Sequence, residues 1–233
     1  MDLLEARDSV NRIFLLGPSH HVYLEGCAVS GATTYATPVG DIKVDEETVA
    51  SLRATGSFPT MSMRVDEEEH SLELHCPYIA HVMKGKDFTL VPIMVGSITA
   101  AQERAYGELL APYLDDPGTI AIASSDFCHW GRRFSFQYVE PKCKPCDIYK
   151  SIENLDREGM ALIESKSASG FRDYLSQTMN TICGRMPISL MLTTMARAQR
   201  APEIKFVHYD QSSRVTSMYD SSVSYASAIC YTL

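Results

Sequence analysis

The sequence predicts an α/β fold with three layers, in which a mixed, mostly parallel central sheet is flanked by helices. Three short apolar runs, each bounded by turn residues, have the length and composition of buried parallel strands. They cover residues 12–17, 88–95 and 119–123. Helical segments alternate with these runs, and two late segments that alternate apolar and polar residues predict antiparallel additions to the sheet. Without a repeat or a low-complexity linker, we expect a single domain over residues 1–233.

Composition restricts the class of protein. The chain has 233 residues, of which 45% are hydrophobic and 21% charged, as in an ordinary globular protein. A net charge of -8 argues against nucleic acid as a partner. No apolar run approaches the roughly 18 residues of a transmembrane helix. Seven scattered cysteines indicate reduced thiols, which predicts the cytoplasm as the location, with the nucleus as the alternative.

Periodicity together with helix-start and helix-stop signals predicts the remaining elements. Helices are predicted over 45–52, 66–83, 100–114, 148–164, 169–179 and 187–200. Pro77 is expected to kink the second of them. Residues 27–41 predict strands or a hairpin, and the two late strands cover 203–210 and 222–231.

Chemically reactive side chains follow two of the buried runs. Asp126, Cys128 and His129 come directly after the run 119–123, and His20 and His21 follow the run 12–17. Ligands in open α/β sheets bind beyond the carboxyl ends of the strands, so these residues are candidates for one site. The alternative is an aspartate that caps the next turn and a histidine that is hydrogen-bonded in the core. Neighbouring residues in an extended segment point to opposite sides, so at most one of the paired histidines should face the site.

Other clusters give weaker signals. His70 and Glu73 are three residues apart on one helical face and are candidates for the same pocket, although the acidic run before them is also typical of a solvated helix start. Cys143 and Cys146 form a Cys-x-x-Cys pair, but no second Cys or His pair stands at zinc spacing. Cys183 lies on the turn 181–185 between two predicted helices.

Long motifs in this chain resemble the Memo family, mediators of receptor-tyrosine-kinase-driven cell motility. The resemblance covers nearly the whole chain and rests on residues 17–21 (GPSHH), 66–78 (DEEEHSLELHCPY), 124–131 (SSDFCHWG), 180–187 (NTICGRMP) and 220–226 (DSSVSYA). The family is similar in fold to the class III extradiol dioxygenases, which hold a non-haem iron. The resemblance therefore implies a pocket built from His21, Asp126, His129 and Cys183 that binds a redox metal, copper or iron.

Two departures qualify that implication. The related dioxygenases use two histidines and a carboxylate, whereas the set here includes Cys183, and a soft thiolate favours Cu(I) and disfavours ring cleavage. Family members also begin with a further strand ending in Pro-His-Ala-Gly-Tyr, whose histidine belongs to the metal site. We expect this chain to lack that strand and that histidine, and to bind the metal more weakly as a result.

Three functions are compatible with the resemblance. The first is an intracellular signalling protein that links receptor tyrosine kinases to the cytoskeleton, to cell motility and to redox control. Its implied partners are a phosphotyrosine-containing receptor or adaptor and Rho-type GTPase signalling, with a vestigial pocket that holds copper or iron. The second is a metal-dependent redox enzyme, and the third is a working non-haem iron dioxygenase. We expect the first, without dioxygenase activity.

Overall fold

The computed structural model describes residues 7–141, 144, 147–200 and 202–231. The chain forms two compact units. The first comprises the chain through Ser124 together with Met186–Arg200, and the second comprises Ser125–Arg185 with the chain from residue 201 onward. The sequence prediction of a single domain over 1–233 stays a prediction.

The strands are β1 (Arg12–Pro18), β2 (Cys27–Val29), β3 (Thr34–Tyr35), β4 (Ile42–Lys43), β5 (Thr89–Val95), β6 (Thr119–Ala123), β7 (His129–Trp130), β8 (Glu203–Gln211) and β9 (Ser222–Tyr231). The α-helices are α1 (Glu46–Ala54), α2 (Met63–Glu68), α3 (His70–Glu73), α4 (Cys76–Val82), α5 (Ala100–Leu114), α6 (Ile148–Glu164), α7 (Ala168–Thr178) and α8 (Arg185–Met195). Short 3-10 turns cover Arg7–Ser9 and Arg132–Phe134.

The first unit contains a four-stranded sheet in the order β2-β5-β1-β6. β1 pairs in parallel with β5 and with β6, whereas β2 pairs antiparallel to β5. Strands β3 and β4 form a hairpin, of which β3 lies within the predicted range 27–41 and β4 lies just beyond it. The predicted mixed, mostly parallel sheet is confirmed.

Both faces of this sheet are covered, because alternate residues of β1 point to opposite sides. Phe14 and Leu16 pack in one apolar cluster with residues of α1, α5 and α8. Ile13 and Leu15 pack in another with residues of α3 and α4. Helices therefore lie on both sides of the strands, which confirms the three-layer arrangement. β6 ends the strand order and is only half-buried, with Ile120 40% exposed, so the prediction that it is a buried strand is wrong.

The predicted helix over 66–83 is three short helices, α2, α3 and α4. The break falls at Glu69, whose backbone is extended and whose side chain accepts a hydrogen bond from the Ser71 N–H at the start of α3. Pro77 lies in the first turn of α4 and begins that helix, where its missing N–H costs no hydrogen bond. The prediction of a kink at Pro77 was therefore wrong.

The second unit contains a three-stranded antiparallel sheet in the order β7-β9-β8. β8 and β9 are strands as predicted, but they belong to this sheet, in which β9 pairs with both β7 and β8, and are not additions to the four-stranded one. α6 packs against α7 and β8. Its bounds match the prediction of 148–164, because its buried residues recur at helical spacing.

None of the helices in the described part of the chain combines the length and the apolar character needed to cross a membrane. Cys143 and Cys146 lie outside the described residues.

Candidate metal centre

Three of the predicted site residues converge in the second unit. Asp126, His129 and Cys183 each place one potential ligand atom within 4.8 Å of the others. Nε2 of His129 lies 3.8 Å from Oδ2 of Asp126. The side chains are 45% exposed for Asp126 and 21% exposed for His129, and Cys183 is partly buried. A solvent-borne ion can therefore reach the carboxylate and the imidazole.

The His129 ring is oriented by backbone carbonyl groups. Its Nδ1 atom lies 2.9 Å from the carbonyl oxygen of Phe127 and 3.0 Å from that of Thr181. Carbonyl oxygens only accept hydrogen bonds, so in the neutral tautomer Nδ1 carries the proton and Nε2 carries the lone pair. A hydrogen bond of this kind from the second ring nitrogen is the usual companion of a metal-binding histidine.

Thr181 also holds the backbone of His129 in place. Its Oγ1 accepts a hydrogen bond from the His129 N–H at 2.8 Å and donates to the His129 carbonyl at 2.9 Å. The Phe134 and His129 rings meet in a T-shaped arrangement, with ring centroids 5.1 Å apart. These contacts limit the rotation of His129 before any ligand arrives.

The Cys183 turn is joined to the Asp126 segment by hydrogen bonds. The Asp126 N–H donates to Sγ of Cys183 at 3.1 Å, and the Gly184 N–H donates to Oγ of Ser125 at 3.0 Å. Two segments that are 57 residues apart in the sequence are thereby held in register. The sulfur is positioned beside the carboxylate by the backbone itself.

β9 is hydrogen-bonded to the Asp126–His129 segment. The Phe127 N–H donates to the Ser224 carbonyl at 2.8 Å, and the Ser224 N–H donates to the Cys128 carbonyl at 2.9 Å. Trp130 is completely buried and donates from Nε1 to the Tyr138 carbonyl at 2.8 Å, so the only tryptophan is a core residue. Because Ser224 lies in the late motif 220–226, that motif has a structural role in this centre.

The buried carboxylate of Asp156 is hydrogen-bonded to segments that form the centre. Asp156 of α6 is completely buried and accepts hydrogen bonds from the Cys128 N–H at 3.2 Å, from Nδ2 of Asn180 at 2.9 Å and from the Tyr209 hydroxyl at 3.0 Å. Burial raises the pKa of Asp156, and its hydrogen bonds oppose that effect. Asp156 links α6 to the segments that carry His129 and Cys183. Sequence reasoning missed it, because an aspartate inside a helix gives no signal of burial.

The first unit holds a second cluster of potential ligands, His20, Glu69 and His70, whose donor atoms also lie within 4.8 Å of one another. Oε1 of Glu69 is 2.8 Å from Nδ1 of His20, and Oε2 accepts the His20 N–H at 2.7 Å. The His20 and His70 rings stack with centroids 4.3 Å apart, and His21 contacts the His70 ring edge at 5.8 Å. Glu73 is exposed and does not belong to this cluster.

Glu69 was missed because it ends an acidic run that is typical of a solvated helix start. It is in fact completely buried, as is nearly all of Asp66, whereas Glu67 and Glu68 are exposed. The three-residue spacing of Asp66 and Glu69 was the sequence signal that could have indicated their burial. Burial alone would raise the pKa of Glu69, but hydrogen bonds from His20 and Ser71 outweigh it and lower the pKa to about 2. Glu69 is therefore ionised at neutral pH.

Comparison with known proteins decides the family. The family model described as Memo-like protein matches residues 2–229 of this chain. This chain belongs to the Memo family. Both donor clusters lie within the matched range, and the resemblance read from the sequence motifs is confirmed.

Individual Memo proteins are similar over most of this chain. It is 45% identical over 227 residues to Protein memo-1 homolog of Caenorhabditis elegans, covering 96% of this chain and 65% of that protein. It is 43% identical over 220 residues to Protein MEMO1 of Homo sapiens, covering 92% of this chain and 73% of that protein. The chain thus spans about two thirds to three quarters of the length of these relatives.

A solved structure supports the fold alone. An uncharacterized protein of Escherichia coli matches with a TM-score of 0.50 and 15% identity, covering 94% of this chain and 86% of that one. The resemblance also implied that His21 shares a metal with Asp126, His129 and Cys183. His21 lies in the first unit and the other three lie in the second, and their convergence stays a prediction.

Proposed function

We propose that this chain is a metal-binding signalling protein of the Memo family that holds copper, with iron as the alternative, through Asp126, His129 and Cys183. The observation that carries the proposal is the convergence of these three donors within 4.8 Å, with Nε2 of His129 left to accept a metal. When bound, the metal supplies one-electron redox chemistry at this centre.

The donor set fits copper better than it fits the iron of a ring-cleaving dioxygenase. One thiolate, one imidazole and one carboxylate form a softer set than two histidines and a carboxylate. The thiolate favours Cu(I), while the imidazole and carboxylate also suit Cu(II). A protein that binds both copper states with residues fixed in advance can take part in redox control.

The signalling part of the proposal rests on membership of the Memo family. We expect the protein to act in the cytoplasm, with the nucleus as the alternative, and to link receptor tyrosine kinases to the cytoskeleton and cell motility. The expected partners are a phosphotyrosine-containing receptor or adaptor and Rho-type GTPase signalling. The second candidate function, a metal-dependent redox enzyme, is favoured by the solvent access of Asp126 and His129.

Metal analysis of protein without an affinity tag tests the metal proposal. We expect the wild type to bind about one equivalent of Cu(I) in an anaerobic titration, and Cys183→Ser and His129→Ala each to lose it. Cys230→Ser and His208→Ala are matched controls, because both replace exposed residues of the same unit. His21→Ala tests the further ligand that the resemblance implies. Equal copper binding by wild type, Cys183→Ser and His129→Ala would contradict the proposal.

Binding of phosphorylated peptides separates signalling from enzyme chemistry. An adaptor that binds phosphotyrosine peptides should retain that binding in Cys183→Ser, whereas a redox enzyme should lose turnover of oxygen in the same variant. The measurement is peptide affinity with phosphorylated and unphosphorylated versions, alongside oxygen consumption. Equal affinity for the two peptide versions would contradict the phosphotyrosine partner.

A further inference from the structure

Tyr219 combines a solvent-facing ring with a charged partner. It lies in the connection between β8 and β9 and is 83% exposed. The guanidinium of Arg132 stands over the ring, 4.8 Å from its centroid. Tyr23 and Tyr78 are similarly exposed, but among the described residues neither of their rings lies under an arginine. A fixed cation beside the ring therefore distinguishes Tyr219 from these two tyrosines.

An arginine stacked on an exposed tyrosine can be a surface contact without any function. Here the two segments that carry the pair are also fixed to each other. Nε2 of Gln137 donates to the Met218 carbonyl at 2.7 Å. A Cβ on Gly131 would lie 2.7 Å from that of Ser221, so the backbones approach closely beside the pair. The guanidinium is thus kept near Tyr219 although both side chains face solvent.

We propose that Tyr219 is the acceptor of a protein tyrosine kinase, and that Arg132 binds the phosphate once it is attached. In the transfer, the Tyr219 hydroxyl oxygen bonds to the γ-phosphorus of ATP and the bond from that phosphorus to the β–γ bridging oxygen breaks. ADP leaves, and the phenol proton passes to the catalytic base of the kinase. The inference goes beyond the proposed function, which links this chain to receptor tyrosine kinases without making it a substrate.

A phosphate on Tyr219 converts a neutral contact into a charged one. It adds a charge of about −1.5 to −2 at pH 7 and three acceptor oxygens. A guanidinium presents paired N–H donors in one plane, which match a phosphate in a bidentate pair. The adjacent Asp220 opposes the new charge, but the N–H groups of Thr216 and Ser217 already hold its carboxylate at 2.9 Å. Arg132 therefore exchanges a ring contact for a charge-assisted pair with the same residue.

The new pair acts on a turn next to the candidate metal centre. Arg132 begins the 3-10 turn that also carries Phe134, whose ring meets that of His129. The turn is closed by hydrogen bonds from the Phe134 N–H to the Gly131 carbonyl and from the Ser135 N–H to the Arg132 carbonyl, both at 3.0 Å. A phosphate bound to Arg132 restrains this turn, and with it the support of a candidate ligand.

Phosphorylation of the folded chain tests the acceptor. The wild type and Tyr219→Phe are incubated with the catalytic domain of a receptor tyrosine kinase and ATP, and peptide mass spectrometry locates the phosphate. We expect phosphate on Tyr219 in the wild type and its loss in Tyr219→Phe. Tyr225→Phe is the matched control, because Tyr225 is also exposed but its backbone is paired in β9, and it should keep the phosphate of the wild type. A folded wild type without phosphate on Tyr219 overturns the proposal.

Phosphorus NMR of the phosphorylated protein tests the role of Arg132. A neighbouring cation favours the doubly charged phosphate, so the second pKa of the phosphate should fall below its usual value of about 6. Arg132→Gln should restore that value. Arg133→Gln should not, because the guanidinium of Arg133 lies over the Phe134 ring, 4.4 Å from its centroid. Both arginines are exposed, so neither change removes a buried group.

Amide hydrogen exchange gives an independent readout of the restrained turn. Phosphorylation should slow exchange at Phe134 and Ser135 at least about threefold in the wild type and in Arg133→Gln, but not in Arg132→Gln. A phosphate pKa and exchange rates that are the same in phosphorylated wild type and Arg132→Gln overturn the pairing. None of these measurements involves a metal, so their failure is distinct from a failure of the copper proposal.

Discussion

Nδ1 of His129 points at the carbonyl oxygen of Thr181, 3.0 Å away, across 52 residues of sequence. The same threonine holds the His129 N–H and carbonyl with its hydroxyl. One residue on the Cys183 turn therefore contributes, together with the Phe127 carbonyl, to both the orientation and the position of a candidate ligand on another segment. The candidate centre depends on this pairing as much as on its three donors.

Thr181→Val should weaken copper binding without removing a ligand. Valine has the same shape but cannot accept from the His129 N–H or donate to its carbonyl, so the imidazole loses part of its support. We expect a loss of about 10- to 100-fold in copper affinity, as for other outer hydrogen-bonding partners of metal ligands. Competition with a Cu(I) chelator measures it. Thr216→Val, at an exposed position of the same unit, is the control, and equal losses in the two variants would contradict a specific role for Thr181.

Asp156→Ala should destabilise the protein strongly. The change leaves the Cys128 N–H, the Asn180 amide and the Tyr209 hydroxyl without their buried acceptor. Unsatisfied buried groups of this kind cost about 1–3 kcal/mol each, and relaxation recovers part of that. We therefore expect the free energy of unfolding to fall by about 2–4 kcal/mol in urea titrations. Asp156→Asn, which keeps an acceptor oxygen, should lose less.

Asp173→Ala, at an exposed position on α7, is the control for this comparison. It should change the free energy of unfolding by no more than about 0.5 kcal/mol. A loss for Asp156→Ala as small as that of Asp173→Ala would show that the buried network contributes little to stability.

Asp45→Asn should remove a pH-dependent contribution to stability. Burial acts to raise the pKa of Asp45, but hydrogen bonds from Arg12 at 2.8 Å and from the Thr48 N–H at 2.9 Å outweigh it and lower the pKa below 3.8. A carboxyl group with a lowered folded-state pKa stabilises the fold above its unfolded-state pKa. That contribution disappears as the pH falls below about 3.8 toward the folded-state value.

Asparagine caps a helix about as well as aspartate, so this variant isolates the ion pair with Arg12. We expect it to be less stable than wild type by about 1–3 kcal/mol at pH 7, with the difference shrinking below pH ~4. Urea titrations across pH 3–8 measure the effect, with Glu47→Gln at an exposed position of α1 as control. A stability difference that does not vary with pH would refute the assignment.

Ring cleavage should be absent. A ring-cleaving site keeps Fe(II) with open positions for oxygen and for the diol, whereas the Asp126 centre includes a thiol that oxygen readily oxidises. Anaerobic reconstitution with Fe(II), followed by catechol and oxygen, should give no cleavage chromophore above a free-iron control. Turnover clearly above that control would favour the dioxygenase alternative.

The sequence by itself determined the elements whose signals are local. α5 begins and ends where the periodicity predicted, because Thr99 and Gln102 form a capping box and Tyr106 and Leu110 recur on its buried face. The parallel pairing of β1 with β5 and β6 was predicted from their continuous apolar runs. Such runs are typical of strands in a parallel sheet that is covered on both faces. The Memo family was readable from motifs alone, and the family match confirmed it.

Tertiary structure decided the features that depend on partners distant in the sequence. The break at Glu69 exists because the His20 loop supplies hydrogen-bond donors to a carboxylate that local rules place in solvent. Asp156 is buried because Cys128, Asn180 and Tyr209 satisfy it from three other segments. A carboxylate is tolerated inside a protein only where such donors converge, and the sequence carries no local record of that convergence.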